Sequence, residues 1–170
     1  GYHMTFMGIH ALIIEDQPKE DSFWVLHLSL NGAKWERADE LVGLGVYAVA
    51  PKLIEKFGDK VAIALIGPGG EMKLKAAGIQ NIDKDRVPAR IAARGGLGAV
   101  MGSKGLKAIV FNNAGGQKPP IVNPEAFKVA HKDYTKAVME HPQSITYRDY
   151  GTAAIAPMCQ TFAALPSHNF

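Results

Sequence analysis

The sequence predicts an α+β fold in which a mixed β-sheet unit is followed by the start of an α-helical unit. Short apolar and β-branched runs, with one amphipathic helical pattern among them, occupy residues 10–111, whereas helical patterns follow residue 123. Residues 112–120 (NNAGGQKPP) between them have the composition of a linker. We therefore expect a tag remnant at residues 1–4, a partial sheet domain at residues 5–115, and a linker with the start of a helical domain at residues 116–170.

The first strands are indicated by apolar runs that lie between turn signals. Residues 10–15 (HALIIE) form one β-rich run, and residues 22–30 (SFWVLHLSL) form a second, in which apolar and polar residues partly alternate. The second run ends at Asn31 and Gly32, a strong hairpin signal because both residues tolerate positive φ. We expect residues 33–38 to return antiparallel to it.

One helix and three further strands are predicted before the linker. Residues 45–57 carry apolar side chains at helical spacing and stop at Gly58, and Pro51 should lie in the first turn of a helix that starts late. A compulsory turn is expected at residues 67–70 (GPGG). The further strands are predicted at residues 60–66, 72–79 and 106–111.

After the linker the pattern becomes helical. Asn123 is a candidate N-cap, Pro124 occupies the first helical position, and the helix should run to about Glu140. A second helix is predicted at residues 152–163, interrupted by Pro157.

Composition restricts the possible functions. The formal net charge is +3, but basic residues are mixed with acidic ones along the chain, so we expect no nucleic-acid partner. The longest apolar runs are too short to cross a bilayer, and no leader pattern is present, so a cytoplasmic protein without membrane association is expected. Cys159 is the single cysteine, which excludes an internal disulfide and a self-contained cysteine-ligated metal site. No catalytic or metal-ligating residue is predicted.

The strongest functional signal is a glycine-rich stretch, residues 90–111 (RIAARGGLGAVMGSKGLKAIVF). Glycine permits positive φ and close backbone approach, so successive amides can converge on an anion. The glycines are Gly95, Gly96, Gly98, Gly102 and Gly105, and the flanking cations are Arg90, Arg94, Lys104 and Lys107. A short helix at residues 99–103 would direct its N-terminus at the same anion.

This stretch fails both common phosphate fingerprints. The dinucleotide pattern requires a third glycine where Met101 stands, and no strand is predicted immediately before it. The P-loop pattern fails because the glycine spacing is one residue too short and Ser103 precedes Lys104. From these residues alone, a glycine-rich connection between strands, with its lysines in solvent, is an equal alternative.

Two groups of charges lie beside this stretch. Residues 83–86 are interpreted as a solvated turn, from which Arg86 could extend the anion site. Glu71 is expected to form an ion pair with Lys73 or Lys75 rather than to act as a base.

Four segments of the chain resemble the signatures of one enzyme family. They are residues 8–15 (GIHALIIE), 66–71 (IGPGGE), 94–109 (RGGLGAVMGSKGLKAI), and 150–153 (YGTA) with 165–170 (LPSHNF). Together they closely resemble the aldehyde ferredoxin oxidoreductase family, the tungsten- or molybdenum-pterin enzymes, over essentially the whole chain. Because family members are several times longer, the resemblance implies a fragment that holds the later part of the N-terminal pterin-binding domain and the start of the helical domain.

The resemblance also implies a cofactor site. The residues that align with the family loop touching the pterin and its phosphates are Arg90, Ile91, Ala92, Ala93, Arg94, Gly95, Gly96 and Gly98. The implied cofactor is tungstopterin, a bis-pterin with tungsten or molybdenum and with magnesium at the phosphates. Ligands for a 4Fe-4S cluster are absent from this chain. Ile91 and Ala93 are larger than the residues usual in the family, and Met72 replaces an asparagine.

The family oxidises aldehydes to carboxylic acids and passes the electrons through the iron–sulfur cluster to ferredoxin. By this resemblance, the chain should contribute the pterin-phosphate loop, be inactive alone, and combine with the missing segments or self-associate. The alternative is a small standalone nucleotide- or phosphate-binding protein, or an accessory protein, that uses the same fold.

Overall fold

The chain, seen in a computed structural model that describes residues 1–165, separates into two units. The sheet unit comprises Gly1–Pro119, and the helical unit begins at Pro120. A mixed six-stranded sheet with helices forms the first, and helices alone form the described part of the second, so the predicted α+β class is confirmed. The functional partition at residue 115 and the tag interpretation of residues 1–4 stay predictions.

The sheet contains six strands, one of which was predicted with its observed bounds. The strands are β1 (Trp24–Ser29), β2 (Gly32–Arg37), β3 (Ala62–Leu65), β4 (Ile79–Asn81), β5 (Arg90–Ala92) and β6 (Leu106–Phe111). Their order in space is β2-β1-β6-β3-β4-β5. β1 and β6 run parallel, and the other neighbouring pairs run antiparallel. β6, the strand predicted at residues 106–111, therefore lies inside the sheet, where Ala108 and Val110 are fully buried.

β1 and β2 form the predicted hairpin, but different residues make its turn. Ser29 pairs with Gly32, so Leu30 and Asn31 occupy the turn, rather than Asn31 and Gly32. Gly32 begins β2 with a φ of 109°, a conformation that would strain a residue with a side chain. The Asn31 amide donates a hydrogen bond to the Ser29 hydroxyl at 3.2 Å, which holds the turn.

Four helices belong to the sheet unit: α1 (Tyr2–Phe6), α2 (Val46–Phe57), α3 (Pro68–Glu71) and α4 (Leu97–Ser103). The prediction that Pro51 lies in the first turn of α2 is wrong, because the helix already starts after Gly45. Pro51 lacks the amide that would bond to the Tyr47 carbonyl, and Tyr47 is 66% exposed, so water can take that bond. Gly58 ends α2 with a φ of 90°, as predicted.

The strand predicted at residues 10–15 is absent. This segment is extended, and its side chains alternate, with Leu12 and Ile14 packed against the core and Ile13 80% exposed. No ladder joins the segment to a strand within residues 1–165. Alternation in the sequence indicates which side chains are buried, but it cannot supply a partner for the backbone.

The strand predicted at residues 72–79 is also wrong. The Met72 and Lys73 amides donate to the carbonyls of Pro68 and Gly70, both at 2.9 Å, so the chain folds back onto α3. Lys73 adopts a φ of 57°, which no strand residue has. β4 begins only at Ile79, where the predicted strand would have ended.

One hydrophobic core joins the sheet to α2 and α4. Leu53 of α2 and Met101 of α4 are buried in the same cluster as Ile63 of β3 and Val110 of β6. This packing holds α4 against the sheet. Because the turn after β5 leads directly into α4, the position of that turn is fixed as well.

The helical unit begins as predicted. Its helices within residues 120–165 are α5 (Pro124–Glu140), α6 (Pro142–Tyr150) and α7 (Ala156–Thr161). The Asn123 side chain accepts a hydrogen bond from the Ala126 amide at 3.0 Å, so both predicted features of this terminus, the N-cap and Pro124 in the first turn, are confirmed.

The rest of the helical unit departs from the prediction. α6 was not predicted, and a 3₁₀ turn (Gly151–Ile155) replaces the first part of the helix expected at residues 152–163. Pro157 lies in the first turn of α7 instead of interrupting a helix, because a first-turn residue needs no amide. Residues 166–170 of the LPSHNF motif lie outside the described residues. Across the part that is described, no helix is both long and apolar enough to span a bilayer.

Candidate functional site

The glycine-rich stretch folds as a strand, a turn, a helix and a strand. β5 carries Arg90, Ile91 and Ala92 along the edge of the sheet, where Ala92 pairs with Ile79 of β4. The expectation that no strand precedes the glycines is therefore wrong. Three residues flanked by charge and proline are too short to give a strand signal, and β5 exists because β4 offers it a partner.

Gly95 and Gly96 form the turn between β5 and α4. Their φ angles are 81° and 66°, so two successive residues adopt a conformation that L-amino acids rarely take. A side chain at Gly95 would meet no atom within 4 Å, so the backbone angle, not space, favours glycine at that position. Turns of this kind present successive amides from one concave surface, which suits an oxyanion.

Other glycines of the stretch serve close packing. A Cβ atom at Gly98 would overlap the carbonyl oxygen of Gly78, and one at Gly102 would overlap that of Gly70. The Gly98 amide already donates to the Ala77 carbonyl at 2.8 Å. α4 therefore lies with its backbone directly against α3 and the segment before β4.

Two of the four flanking cations are free for a ligand. Arg90 and Arg94 are exposed, and neither side chain forms an ion pair or a hydrogen bond within residues 1–165. Lys104 donates to the Asp16 carbonyl at 3.2 Å. The prediction that Lys107 flanks the anion is wrong, because its side chain is 0% exposed.

Lys107 instead forms a buried ion pair with Glu71. Its ammonium also donates to the Leu44 carbonyl at 3.0 Å, and the second carboxylate oxygen of Glu71 accepts from the Gly43 amide at 2.8 Å. Glu71 was predicted to pair with Lys73 or Lys75, but both are exposed and Lys107 lies closer in space. The pair joins β6, α3 and the loop before α2.

Of the three departures from the family pattern, the two that lie in the glycine-rich stretch are exposed. Ile91 is 54% exposed, and its side chain covers Gly78, where a Cβ atom would lie 2.8 Å from the Ile91 Cδ1 atom. Ala93 is also exposed and helical in conformation. Ile91 thus packs against Gly78, and neither the Ile91 nor the Ala93 side chain is buried in the core of the sheet unit.

The Arg86 side chain points inward and forms a hydrogen bond, whereas the sequence indicated a solvated turn. Its Nη1 atom donates to the Val61 carbonyl at 2.8 Å, and its Nε and Nη2 atoms are buried. The turn around it is held by Asp83, whose carboxylate accepts from the amides of Asp85 at 2.9 Å and Val87 at 3.0 Å. Nothing in the local sequence distinguishes this inward arginine from a solvated one.

No group of three His, Cys, Asp or Glu side chains converges as a metal site within residues 1–165.

Comparison with known proteins identifies the family. The N-terminal domain family of aldehyde ferredoxin oxidoreductase matches residues 1–113. A tungsten-containing aldehyde ferredoxin oxidoreductase of Pyrococcus abyssi is 33% identical over 172 aligned residues, which cover 100% of this chain and 27% of the relative. An aliphatic sulfonate oxidoreductase, WOR-like subunit, of Pyrococcus furiosus is 36% identical, with 91% of this chain and 25% of the relative covered.

A solved structure also resembles this chain in fold. The active site complex BamBC of benzoyl coenzyme A reductase superposes with a TM-score of 0.70 and 25% identity, over 83% of this chain and 20% of that one. The chain spans about a quarter of the length of the relatives that it matches (27%). Since the domain match covers residues 1–113 and the Pyrococcus abyssi enzyme aligns with the whole chain at 33% identity, the chain belongs to the aldehyde ferredoxin oxidoreductase family.

Proposed function

We propose that this chain contributes the phosphate-binding loop of a tungsten-pterin oxidoreductase that acts on aldehydes. The proposed contact residues are Arg90, Ile91, Ala92, Ala93, Arg94, Gly95, Gly96 and Gly98. One observation carries the proposal: two successive left-handed glycines directly follow Arg94, and the exposed side chains of Arg90 and Arg94 have no partner within residues 1–165.

The residues present fit an anionic cofactor. Arg90 and Arg94 can each donate charge-assisted hydrogen bonds in a fork that matches phosphate. Gly95 lets the backbone approach the same oxyanion without a side chain in between. A Cβ atom at Gly96 would overlap the Lys75 carbonyl oxygen, so this glycine also lets the turn pack closely against residue 75. Gly98 positions the loop instead of binding the anion through its amide, because that amide donates a hydrogen bond to the Ala77 carbonyl. The absence of a side chain at Gly98 lets α4 pack directly against Gly78.

The proposed parent reaction converts an aldehyde to a carboxylic acid. When bound, tungsten or molybdenum on the bis-pterin would supply the two-electron redox chemistry, with magnesium at the phosphates, a 4Fe-4S cluster elsewhere in the enzyme and ferredoxin as electron acceptor. This chain would bind and orient the phosphates, and the missing segments would complete the site. Because no acid or base for the substrate is identified here, we expect no activity from the chain alone.

Pyrophosphate with Mg²⁺ is a suitable probe of this loop, since it reproduces the charged part of the cofactor. Arg94→Ala should weaken its binding by tenfold or more, because a hydrogen bond to a charged group contributes about 1.5–3 kcal/mol. Titration calorimetry measures the affinity, and Lys52→Ala, at an exposed site on α2, is the control. Wild-type affinity in the Arg94→Ala protein would contradict the assignment.

The standalone phosphate- or nucleotide-binding alternative is favoured by one observation. β5 directly precedes the glycine turn and α4 follows it, which is the strand–turn–helix order of many nucleotide sites. Thermal denaturation with ATP or NADH separates the two functions. Stabilisation at micromolar nucleotide would support the alternative, whereas stabilisation by Mg²⁺-pyrophosphate alone would support the cofactor loop.

A further inference from the structure

We propose that Arg86 marks a second oxyanion site, separate from the glycine-rich stretch, which takes the carboxylate or phosphate group of a small organic molecule. Three independent observations lead to it: unpaired buried donors, a strained backbone, and an adjoining cavity. None of them involves residues 90–98.

The first observation is the guanidinium of Arg86. Its Nη1 atom has the Val61 carbonyl as acceptor at 2.8 Å, but its Nε and Nη2 atoms are buried and have no hydrogen-bond partner within residues 1–165. A buried donor without an acceptor costs about 1–3 kcal/mol, and more when it is charged. Nε and Nη2 lie on one edge of the guanidinium, the edge that binds both oxygens of a carboxylate or phosphate.

Residues 1–165 supply no anion to this edge. Asp85 directly precedes Arg86 but forms no ion pair with it, and one oxygen of Asp83 already accepts hydrogen bonds from the amides of Asp85 and Val87. No ion pair joins Arg86 to any acidic residue within residues 1–165. Within residues 1–165 the guanidinium therefore has no carboxylate paired with it.

The backbone of Arg86 is held in an unfavourable conformation. Its φ is 65°, in the left-handed region that costs an L-residue about 1–2 kcal/mol. The Arg86 amide donates to the Asp83 carbonyl at 3.2 Å, which closes the turn and keeps this conformation. A solvated arginine needs no such turn. Here the turn directs the side chain inward, toward β3.

A cavity of about 400 Å³ adjoins the guanidinium. Residues 1–4, the segment interpreted as a tag remnant, form one wall, and apolar side chains such as Ile82 and Phe111 belong to the others. The lining holds the charged groups of Arg86, Lys84, Asp83 and the amino terminus at Gly1, together with the titratable His3. Cavities that hold small ligands are commonly of this size, apolar, with a few convergent polar groups. A molecule with an anionic head group and a short apolar body could pair with the Arg86 guanidinium and contact the apolar side chains of the walls.

Thermal unfolding of the full chain tests the proposal, with benzoate, phenyl phosphate and inorganic phosphate as probes. We expect at least one of the two organic anions to raise the midpoint by about 3 °C or more at saturation. Benzoate alone would identify a carboxylate ligand, and phenyl phosphate alone a phosphate ligand. Inorganic phosphate reports whether the head group suffices. No shift with either organic anion overturns the site.

Arg86→Met is the decisive variant. It should abolish the shift, because it removes both donors of the Nε–Nη2 edge. Lys52→Met, on the exposed face of α2, is the control and should leave the shift unchanged. An undiminished shift in Arg86→Met, or a shift lost in Arg94→Ala instead, would overturn the proposal by assigning the anion to another site.

Arg86→Lys covers the case in which the methionine variant does not fold. It keeps the charge but loses the paired donors, so the affinity should fall at least tenfold. Backbone amide shifts give an independent readout: binding should perturb residues 81–87 and leave residues 93–98 unchanged. The reverse pattern would refute the site, as would equal affinity in the lysine variant.

Discussion

At Gly102 the backbone of α4 touches the backbone of α3, whereas at Gly95 the chain is surrounded by open space. The same residue type therefore serves two physical needs within eight positions: close approach at Gly102 and a left-handed turn at Gly95, whose φ is 81°. The sequence showed that the stretch is rich in glycine, but it could not separate these needs, because the partner of Gly102 lies in another segment.

Alanine substitution should distinguish the two kinds of glycine. Gly102→Ala should lower the free energy of unfolding by about 3 kcal/mol, since its Cβ atom would overlap the Gly70 carbonyl oxygen and force two backbones apart. Gly95→Ala should cost only about 1–2 kcal/mol, from its positive φ. Urea denaturation measures both. Val100→Ala, at an exposed site on the same helix, is the control and should change stability little.

A Gly102→Ala protein as stable as the wild type would show that α3 and α4 are not in backbone contact. Equal losses at the two glycines would show that the close packing of α3 and α4 contributes no more to stability than the left-handed turn does.

Charged residues were hardest to interpret from the sequence. Lys107 and Arg90 both flank the glycines, yet one is fully buried and the other exposed. The difference arises from the sheet: Lys107 lies on an interior strand with α3 beside it, and Arg90 lies on the edge strand. Burial of a cation depends on which segments meet in space, so spacing along the chain could not show it.

Elements with strong local signals were predicted well. α5 has its capping Asn123 and Pro124 in sequence, and β6 has a continuous apolar run, so both were predicted with their observed bounds. β5 and the extended residues 10–15 depend on whether a partner strand is present, which no local pattern records. For these two segments the result is one strand missed and one predicted where the chain has none; residues 72–79 are a second such strand, predicted where the chain folds back onto α3.

The Glu71–Lys107 pair is the main polar link between elements. Lys107→Met should destabilise the protein by about 3–5 kcal/mol, because it leaves the Glu71 carboxylate buried without its counter-charge. Chemical denaturation measures the loss. The exposed pair of Lys56 and Glu36 is the matched control, and Lys56→Met should cost less than about 1 kcal/mol.

The double variant Glu71→Gln with Lys107→Met separates charge from packing. It removes both charges but keeps an acceptor for the Gly43 amide, so it should recover a large part of the stability lost in Lys107→Met. If the double variant is no more stable than the single one, the loss comes from the lysine packing and not from the unpaired carboxylate.

The two units differ in how they are stabilised. The sheet unit has a buried core with members on β1, β3, β6, α2 and α4, whereas no residue in the described part of the helical unit is buried. Phe127, Tyr134 and Val138, whose spacing places them on one apolar face of α5, are 54%, 70% and 40% exposed. The family could be predicted because each of its motifs is contiguous in the sequence. The stability of α5 could not, because it depends on whether other residues cover its apolar face.

Hydrogen exchange on the whole chain should therefore show two levels of protection. Amides of β6 should exchange only on global unfolding, because the strand lies inside the sheet. Amides of α5 should exchange far faster, because a helix of 17 residues with no buried side chain is only marginally stable in water. Asn123→Ala removes the cap and about 1 kcal/mol of helix stability, so it should speed exchange in α5 further and leave β6 unchanged. Equal protection of α5 and β6 would contradict this account, since it would require a cover over the apolar face of α5 that residues 120–165 do not provide.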